Sequence, residues 1–404
     1  MRSLQKKKTM RRYLFLIPFL MMLGCEQVDH DGELAPENDS SVPMEEVARL
    51  LSALDIGPEQ IGEVRDAVAS SAGNGYDEEY MMKDLLSAPG TGVGEASWTK
   101  GMKSYSRPLR DMISEYVSSG TKAGETLPSM RKFGSAGEYL KAVAASGLQI
   151  YWPFSENYDG TSAPVITFDP GDGSESNVGY RISRDSKGVK SVEEVVVDES
   201  YAEKHPVWVV NRNDDSGYSS LAVLRREDPE WGTVGGGIEV KGGDTRLRTL
   251  ILKDFTMYRN YDTWFAGGSE FFVKMGSLDD FTASTEAELL IYKPLITDFM
   301  IAVKRHQKGE PVPFNAVLIS NWTSQLENCA FMVTEDDGGT RTSWKTEAEV
   351  KVNSKTYGIL LNIPYNSRDD IVWRGHLSSP FIEKYSGLSS RFGDIGLTLE
   401  IVER

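Results

Sequence analysis

The chain has little of what most enzymes and stapled secreted domains are built from. Its 404 residues include two cysteines and four histidines, and basic residues (44) are well outnumbered by acidic ones (60). Two cysteines allow at most one disulfide, so no cysteine framework organises the fold. His30, His205, His306 and His376 are isolated from one another, and neither a His-x-x-x-His pair nor a cysteine cluster marks a zinc site. The net charge of −16 repels phosphate backbones, which makes nucleic acid an unsuitable partner. The longest wholly apolar stretch is the eleven residues 13–23, short of the roughly 20 that a spanning helix needs.

That stretch has a context of its own. Arg2, Lys6, Lys7, Lys8, Arg11 and Arg12 precede it without an acidic residue, and Met22-Leu23-Gly24-Cys25 follows. A basic segment, an apolar segment and small residues at its end form a secretory leader, and a cysteine at the cut has the pattern of a bacterial lipobox. The expected product begins at Cys25, its thiol carrying a diacylglycerol and its amine an acyl chain such as palmitate. Each buried CH₂ contributes about 0.8 kcal/mol, so several chains make a lasting anchor where one does not. Residues 26–42 carry six acids and no Lys or Arg, a composition that stays solvated as a tether reaching on the order of 25 Å. Loss of the leader's six positive charges leaves the mature part near −22. The membrane link is therefore the lipid and not a basic patch, and Cys329 remains as a lone thiol in an apolar run.

The remainder divides by pattern. Residues 43–147 read as a small helical unit. Val47, Leu50, Leu51 and Leu54 share one helical face, Ile61, Val64, Ala67 and Val68 another, and Leu109, Met112, Ile113, Tyr116 and Val117 a third. Ser135 with Glu138 resembles a capping box ahead of Tyr139, Leu140 and Val143. From Leu148 the pattern turns to strands, giving a β-rich subdomain over 148–240 and an antiparallel sandwich over 241–404. Strands are expected at 150–154, 165–168, 192–198, 207–211, 246–253, 270–275, 288–292, 299–304, 314–320, 329–334 and 357–363. Ala348, Val350 and Val352 alternate with Glu347, Glu349 and Lys351, and Ile395, Leu397, Leu399 and Ile401 alternate at the end of the chain. The expected class is α+β, a helical unit followed by an antiparallel β-sandwich-like region.

Signals of chemistry are sparse. Ser97 and Lys100 match Ser-x-x-Lys, but neither Lys-Thr-Gly nor Ser-Asp-Asn accompanies them. The glycines of 90–94 and 235–237 precede no Gly-Lys-Ser/Thr and read as loops. Asp169, Asp172 and Asn177 are candidate calcium ligands, as are the Asp214-Asp215 and Asp336-Asp337 pairs, without the spacing of an EF-hand. Side-chain-to-backbone turns are the alternative use of such residues. Trp264, Trp322, Trp344 and Trp373 lie at strand ends or beside turns, where an exposed ring could stack on a sugar and a buried one fills a core. No cofactor motif is present.

Tyr151-Trp152-Pro153-Phe154-Ser155-Glu156-Asn157, Val207-Trp208-Val209-Val210-Asn211 and Trp264-Phe265-Ala266-Gly267-Gly268-Ser269-Glu270, with the lipobox and acidic tether, resemble segments of uncharacterised Bacteroidota surface lipoproteins. The resemblance spans roughly 148–404 and implies an outer-membrane location facing outward, without naming an activity. The leading expectation is a non-enzymatic protein that binds a glycan or a surface protein. A fimbrial or adhesin-like component is the alternative, and a hydrolase using His205, His306 or His376 comes third.

Overall fold

The computed structural model describes residues 42–87, 104–120, 127–213, 218–227, 248–278 and 281–403, all within one compact unit, Ser41–Arg404. The leader, Cys25, the tether to residue 41, Ser97, Lys100 and both glycine-rich segments lie outside the described residues, as do Asp214 and Asp215. Among those described, no helix is long and apolar enough to cross a membrane. The class is α+β with mostly antiparallel sheets.

The helical stripes form as expected: α1 (Met44–Ala53), α2 (Pro58–Gly73), a short α3 (Met82–Leu85), α4 (Leu109–Ser118) and α5 (Ala136–Ala145). Ser135 caps α5 by accepting from the Glu138 amide at 3.2 Å. These helices form the expected small helical unit, with α3 and α4 packed on α5. Their apolar faces pack on one side of a six-stranded sheet, where Val47, Leu51, Val64, Ile113 and Val143 meet Ile150, Trp152, Ile166, Trp208 and Val210. Val42 is already inside this core.

That first sheet comprises β1 (Glu79–Met81), β2 (Leu148–Tyr151), β3 (Val165–Phe168), β4 (Ser176–Arg184), β5 (Lys190–Asp198) and β6 (Val207–Arg212), in the order β1-β2-β6-β3-β4-β5. Among the described residues of this sheet, only the β3–β6 pairing is parallel. Along β6 the side chains alternate: Trp208 and Val210 face the helices, while Val207 and Val209 meet Trp264 and Phe265 on the other face. The loop that carries these two aromatics comes from the second half of the chain and covers the sheet.

The sandwich pairs two further sheets. One runs β10-β7-β16-β15, from β7 (Arg248–Met257), β10 (Val312–Ile319), β15 (Ser389–Phe392) and β16 (Ile395–Glu403). The other contains β8 (Ser269–Ser277), β9 (Leu295–Val303), β11 (Leu326–Glu335), β12 (Arg341–Val352), β13 (Lys355–Asn366) and β14 (Asp370–Ser378), with β14 and β8 both pairing β11. Leu250, Leu252, Leu397 and Leu399 face Phe271, Val273, Phe331 and Val333 across the core. Burial of Ala348, Val350 and Val352 follows the expected alternation, whereas in β16 every residue from 395 to 399 is buried and Ile401 is half-buried.

β12 and β13 form a long ribbon in register from Arg341↔Asn366 to Val352↔Lys355, turning at Asn353 in the left-handed region (φ 55°). The ribbon folds over the outer face of β11 and β8, where Ala348, Leu361 and Ile363 pack on Ala330 and Met332. Gly276 makes this approach possible, because a Cβ there would lie 2.7 Å from Leu361 Cδ1.

Segment 288–292 does not form the expected strand. Glu286–Leu289 is a helical turn capped by Thr285, which accepts from the Glu288 amide at 3.3 Å.

Candidate functional site

The alternation of β8 sends Phe271, Val273 and Met275 into the sandwich core and Phe272, Lys274 and Gly276 to the opposite face. On β9, Met300 lies opposite Phe272 and Asp298 opposite Lys274. The ribbon covers Gly276, but its open end stands off from Phe272 and Lys274. A pocket of about 200 Å³ remains, walled by Arg341, Pro364, Tyr365 and Asn366 on the ribbon and by Tyr218 and Leu224 across from it.

Its chemistry is mixed. The Lys274 side chain is only 5% exposed, and its ammonium donates to both Asp298 oxygens, at 2.7 and 2.8 Å. The same ammonium stands 4.7 Å above the Phe272 ring, a cation–π arrangement. Tyr218 packs on Phe272 with centroids 4.5 Å apart and is held by the Asn366 amide, which donates to its hydroxyl. At the floor lies Asp369, 7% exposed. Its Oδ2 accepts from the Asn366 main-chain N–H (2.9 Å) and the Thr334 hydroxyl (3.4 Å), whereas Oδ1 has no N–H or hydroxyl donor among the described residues, and the Asp336 carboxyl interacts with the Asp369 carboxyl. Beside it, the buried Asp336 is pushed up to about 6 by desolvation and then by the neighbouring Asp369 charge, despite the Gly338 N–H it accepts.

A buried acceptor left without a donor costs on the order of 1–3 kcal/mol. Phe272 is buried under Tyr218 and Lys274, so the aromatic surface left for a ligand is the half-buried Tyr218, and such a ring beside an acceptor suits a polar ring with a face to stack and a hydroxyl to donate. Engineered cavities of about 150 Å³ admit a six-membered ring, so this pocket has room for one ring-sized ligand.

The residues singled out in the sequence fall elsewhere. Trp264 is fully buried, its indole N–H donating to the Glu175 carbonyl at 2.9 Å, and Trp322 is 2% exposed in the sandwich core. Neither presents a face to a ligand, and both are corrected to core residues. Trp373 is half-buried against Phe331 and Phe392. Trp344 is half-buried on the ribbon with Arg374 over its ring at 5.8 Å. Asp169 and Asp172 accept the main-chain N–H groups of Gly171 (2.9 Å) and Ser174 (3.0 Å), and Asn177 donates to the Phe168 carbonyl. These three residues make turns, so their polar groups organise the loop.

The histidines give no triad. His205 stacks on Tyr201 at 4.1 Å, His306 approaches Glu156 at 3.2 Å, and His376 meets the Thr346 hydroxyl and the Glu347 carbonyl. Among the described residues, none is bonded to both a serine and a carboxylate. Cys329 is fully buried, its thiol pushed up to about 12 by desolvation. One group of carboxylates could hold a metal: Asp262, Glu270 and Glu335 bring one oxygen each within 4.8 Å of one another.

None of the residues that line the pocket is a candidate site residue in the sequence; Phe272, Lys274, Phe299 and Met300 fall only within expected strands, and Asp336, a candidate calcium ligand, lies beside Asp369. The available signal was a charged residue inside two apolar strands, Lys274 in Phe-Phe-Val-Lys-Met and Asp298 in Thr-Asp-Phe-Met. No family model, curated protein or solved structure matches the chain.

Proposed function

We propose that the chain is a lipoprotein, held through a lipidated Cys25 on the outward face of a bacterial outer membrane, that binds one ring of a glycan in the Phe272–Asp369 pocket without transforming it. The observation that carries this reading is the Asp369 Oδ1 acceptor, buried, without an N–H or hydroxyl donor among the described residues, in a pocket also lined by the half-buried Tyr218. A pyranose offers an apolar face for Tyr218 and hydroxyl donors for the carboxylate. Glycoside hydrolysis usually sets two carboxyl groups on opposite sides of the scissile bond, roughly 5–9.5 Å apart. Here Asp298 is engaged by Lys274, and Asp336 and Asp369 interact side by side, which favours binding over cleavage. The basic and apolar leader, the lipobox and the acidic tether support the location.

Two experiments test the proposal. A broad glycan array probed with residues 42–404 should return hits, and binding nowhere on it would refute the ligand class. Cys25→Ser should release the protein from the membrane fraction, and unchanged membrane retention would refute the anchor.

Strand addition by an adhesin-like protein has one observation in its favour. β5 is an edge strand with Val192 and Val196 exposed at 44% and 74%. A concentration-independent monomer that adds no β-strand peptide would remove that reading.

A further inference from the structure

We infer that the ring taken by the Phe272–Asp369 pocket is an acidic one, a uronic acid unit, and that Arg341 recognises its carboxylate; the inference rests on the glycan reading above. Arg341 opens β12, is exposed, and lines the pocket at the open end of the ribbon. Its guanidinium has no hydrogen-bond or ion-pair partner among the described residues. The other lysine or arginine on the pocket wall, Lys274, is committed to both Asp298 oxygens, at 2.7 and 2.8 Å. Two charged groups of the lining therefore face the cavity without an ion pair: the Arg341 guanidinium and the Asp369 carboxyl, whose neighbour is the Asp336 carboxyl.

One residue ties the parts together. Asn366 is the register partner of Arg341 across the ribbon. Its main-chain N–H donates to Asp369 Oδ2 at 2.9 Å, and its side-chain amide donates to the Tyr218 hydroxyl. The guanidinium, the carboxyl and the half-buried Tyr218 ring are thus referred to a single point of the backbone. Asp369 is buried and Arg341 exposed, so the two groups stand at different depths of the same cavity.

A ligand that satisfies both must present hydroxyl donors at its inner end and an anion at its outer end. A pyranuronate does so within one ring, because its carboxylate sits on C5, across the ring from the hydroxyl at C2. The cavity of about 200 Å³ has room for one such ring. A guanidinium holds its N–H donors in a planar fork that matches the two coplanar oxygens of a carboxylate. A neutral hexose leaves that fork to water, and an amino sugar turned towards it meets a like charge. A sulfated ring shares the negative charge but not the planar pair of oxygens.

The test titrates the mature chain calorimetrically with short oligomers of galacturonic and glucuronic acid, their neutral galactose and glucose counterparts, and a sulfated galactose oligomer. The parent should bind a uronate oligomer roughly tenfold or more tightly than its neutral counterpart, the range for hydrogen bonds to a charged group. Added salt should narrow that gap, because Arg341 is exposed. Arg341→Gln should bring uronate affinity down to the neutral level with an unchanged circular dichroism spectrum, and Arg341→Lys, which keeps the charge without the fork, should recover only part. Equal or tighter binding of the neutral or sulfated oligomers by the parent would overturn the inference, as would no binding of uronate, or a uronate preference that survives Arg341→Gln. Neutral oligomers that bind the parent and lose affinity in Asp369→Asn would keep the glycan reading while the uronate assignment falls, so the two fail separately.

Discussion

Replacing Asp298 by asparagine leaves the Lys274 ammonium in place without its counter-charge. The ammonium donates to both Asp298 oxygens and its side chain is 5% exposed, whereas that of Asp298 is 30% exposed. Removing one partner of a fully buried pair costs about 3–5 kcal/mol. Solvent at Asp298 screens part of that, so the expected loss is about 2–3 kcal/mol. Joint replacement by Lys274→Met and Asp298→Leu should recover most of it, because apolar residues of similar volume often substitute for a buried pair at little cost. The assay is a denaturant-unfolding series on the parent, the two single variants and the double variant, which isolates the coupling between the two sites. A change below about 0.5 kcal/mol for Asp298→Asn would place the exchange in the range of ordinary surface substitutions. That result would refute the buried-pair description of the pocket wall.

Other consequences follow from the same geometry. Gly276→Ala should cost about 1–3 kcal/mol by driving a methyl into Leu361, and adding Leu361→Ala should return part of the loss in the same unfolding assay. Phe272→Leu should weaken binding of any glycan hit while leaving the circular dichroism spectrum unchanged, since it removes the ring that Tyr218 and Lys274 face. Asp84 is pushed up to about 6 by desolvation, and its Oδ2 is buried without a hydrogen-bond partner among the described residues. Its folded form holds the proton more tightly than its unfolded form, so its contribution to stability falls as pH rises from about 4 to 6. Asp84→Asn should flatten that part of the stability–pH curve, and an unchanged slope would contradict the assignment.

Elements with a local cause were readable in the sequence. Period-3.6 stripes gave α1, α2, α4 and α5, and the alternation of 348–352 gave a strand with its buried face correctly assigned, whereas the strand at 395–399 formed with both faces buried. Segment 288–292 misled because Leu290 and Ile291 look like strand residues, yet they are 85% and 74% exposed. The stronger local signal was Thr285 three residues before Glu288, an N-cap pattern that wins when no partner strand is available. β1 had no local cause at all. Asp77-Glu78-Glu79 is a run of acids, and it is buried only because β2 pairs with it and Gly268 and Lys304 meet its carboxylates. Whether Trp264 stacks on a ligand or fills a core stayed open in the sequence because the sheet it covers lies about fifty residues earlier in the chain. The pocket was hidden for the same reason: the ribbon residue Leu361 must reach Gly276, and Tyr218 must reach Phe272, before a cavity exists.

The central claim is that Asp369 Oδ1 receives a donor from a ring-sized glycan unit. Calorimetric titration of the best array hit into the parent protein and into Asp369→Asn tests it most directly. The expected result is saturable one-to-one binding by the parent and a loss of roughly tenfold or more in the variant, the range for a hydrogen bond to a charged group. Equal affinities for the two proteins, with both folded, would contradict the account.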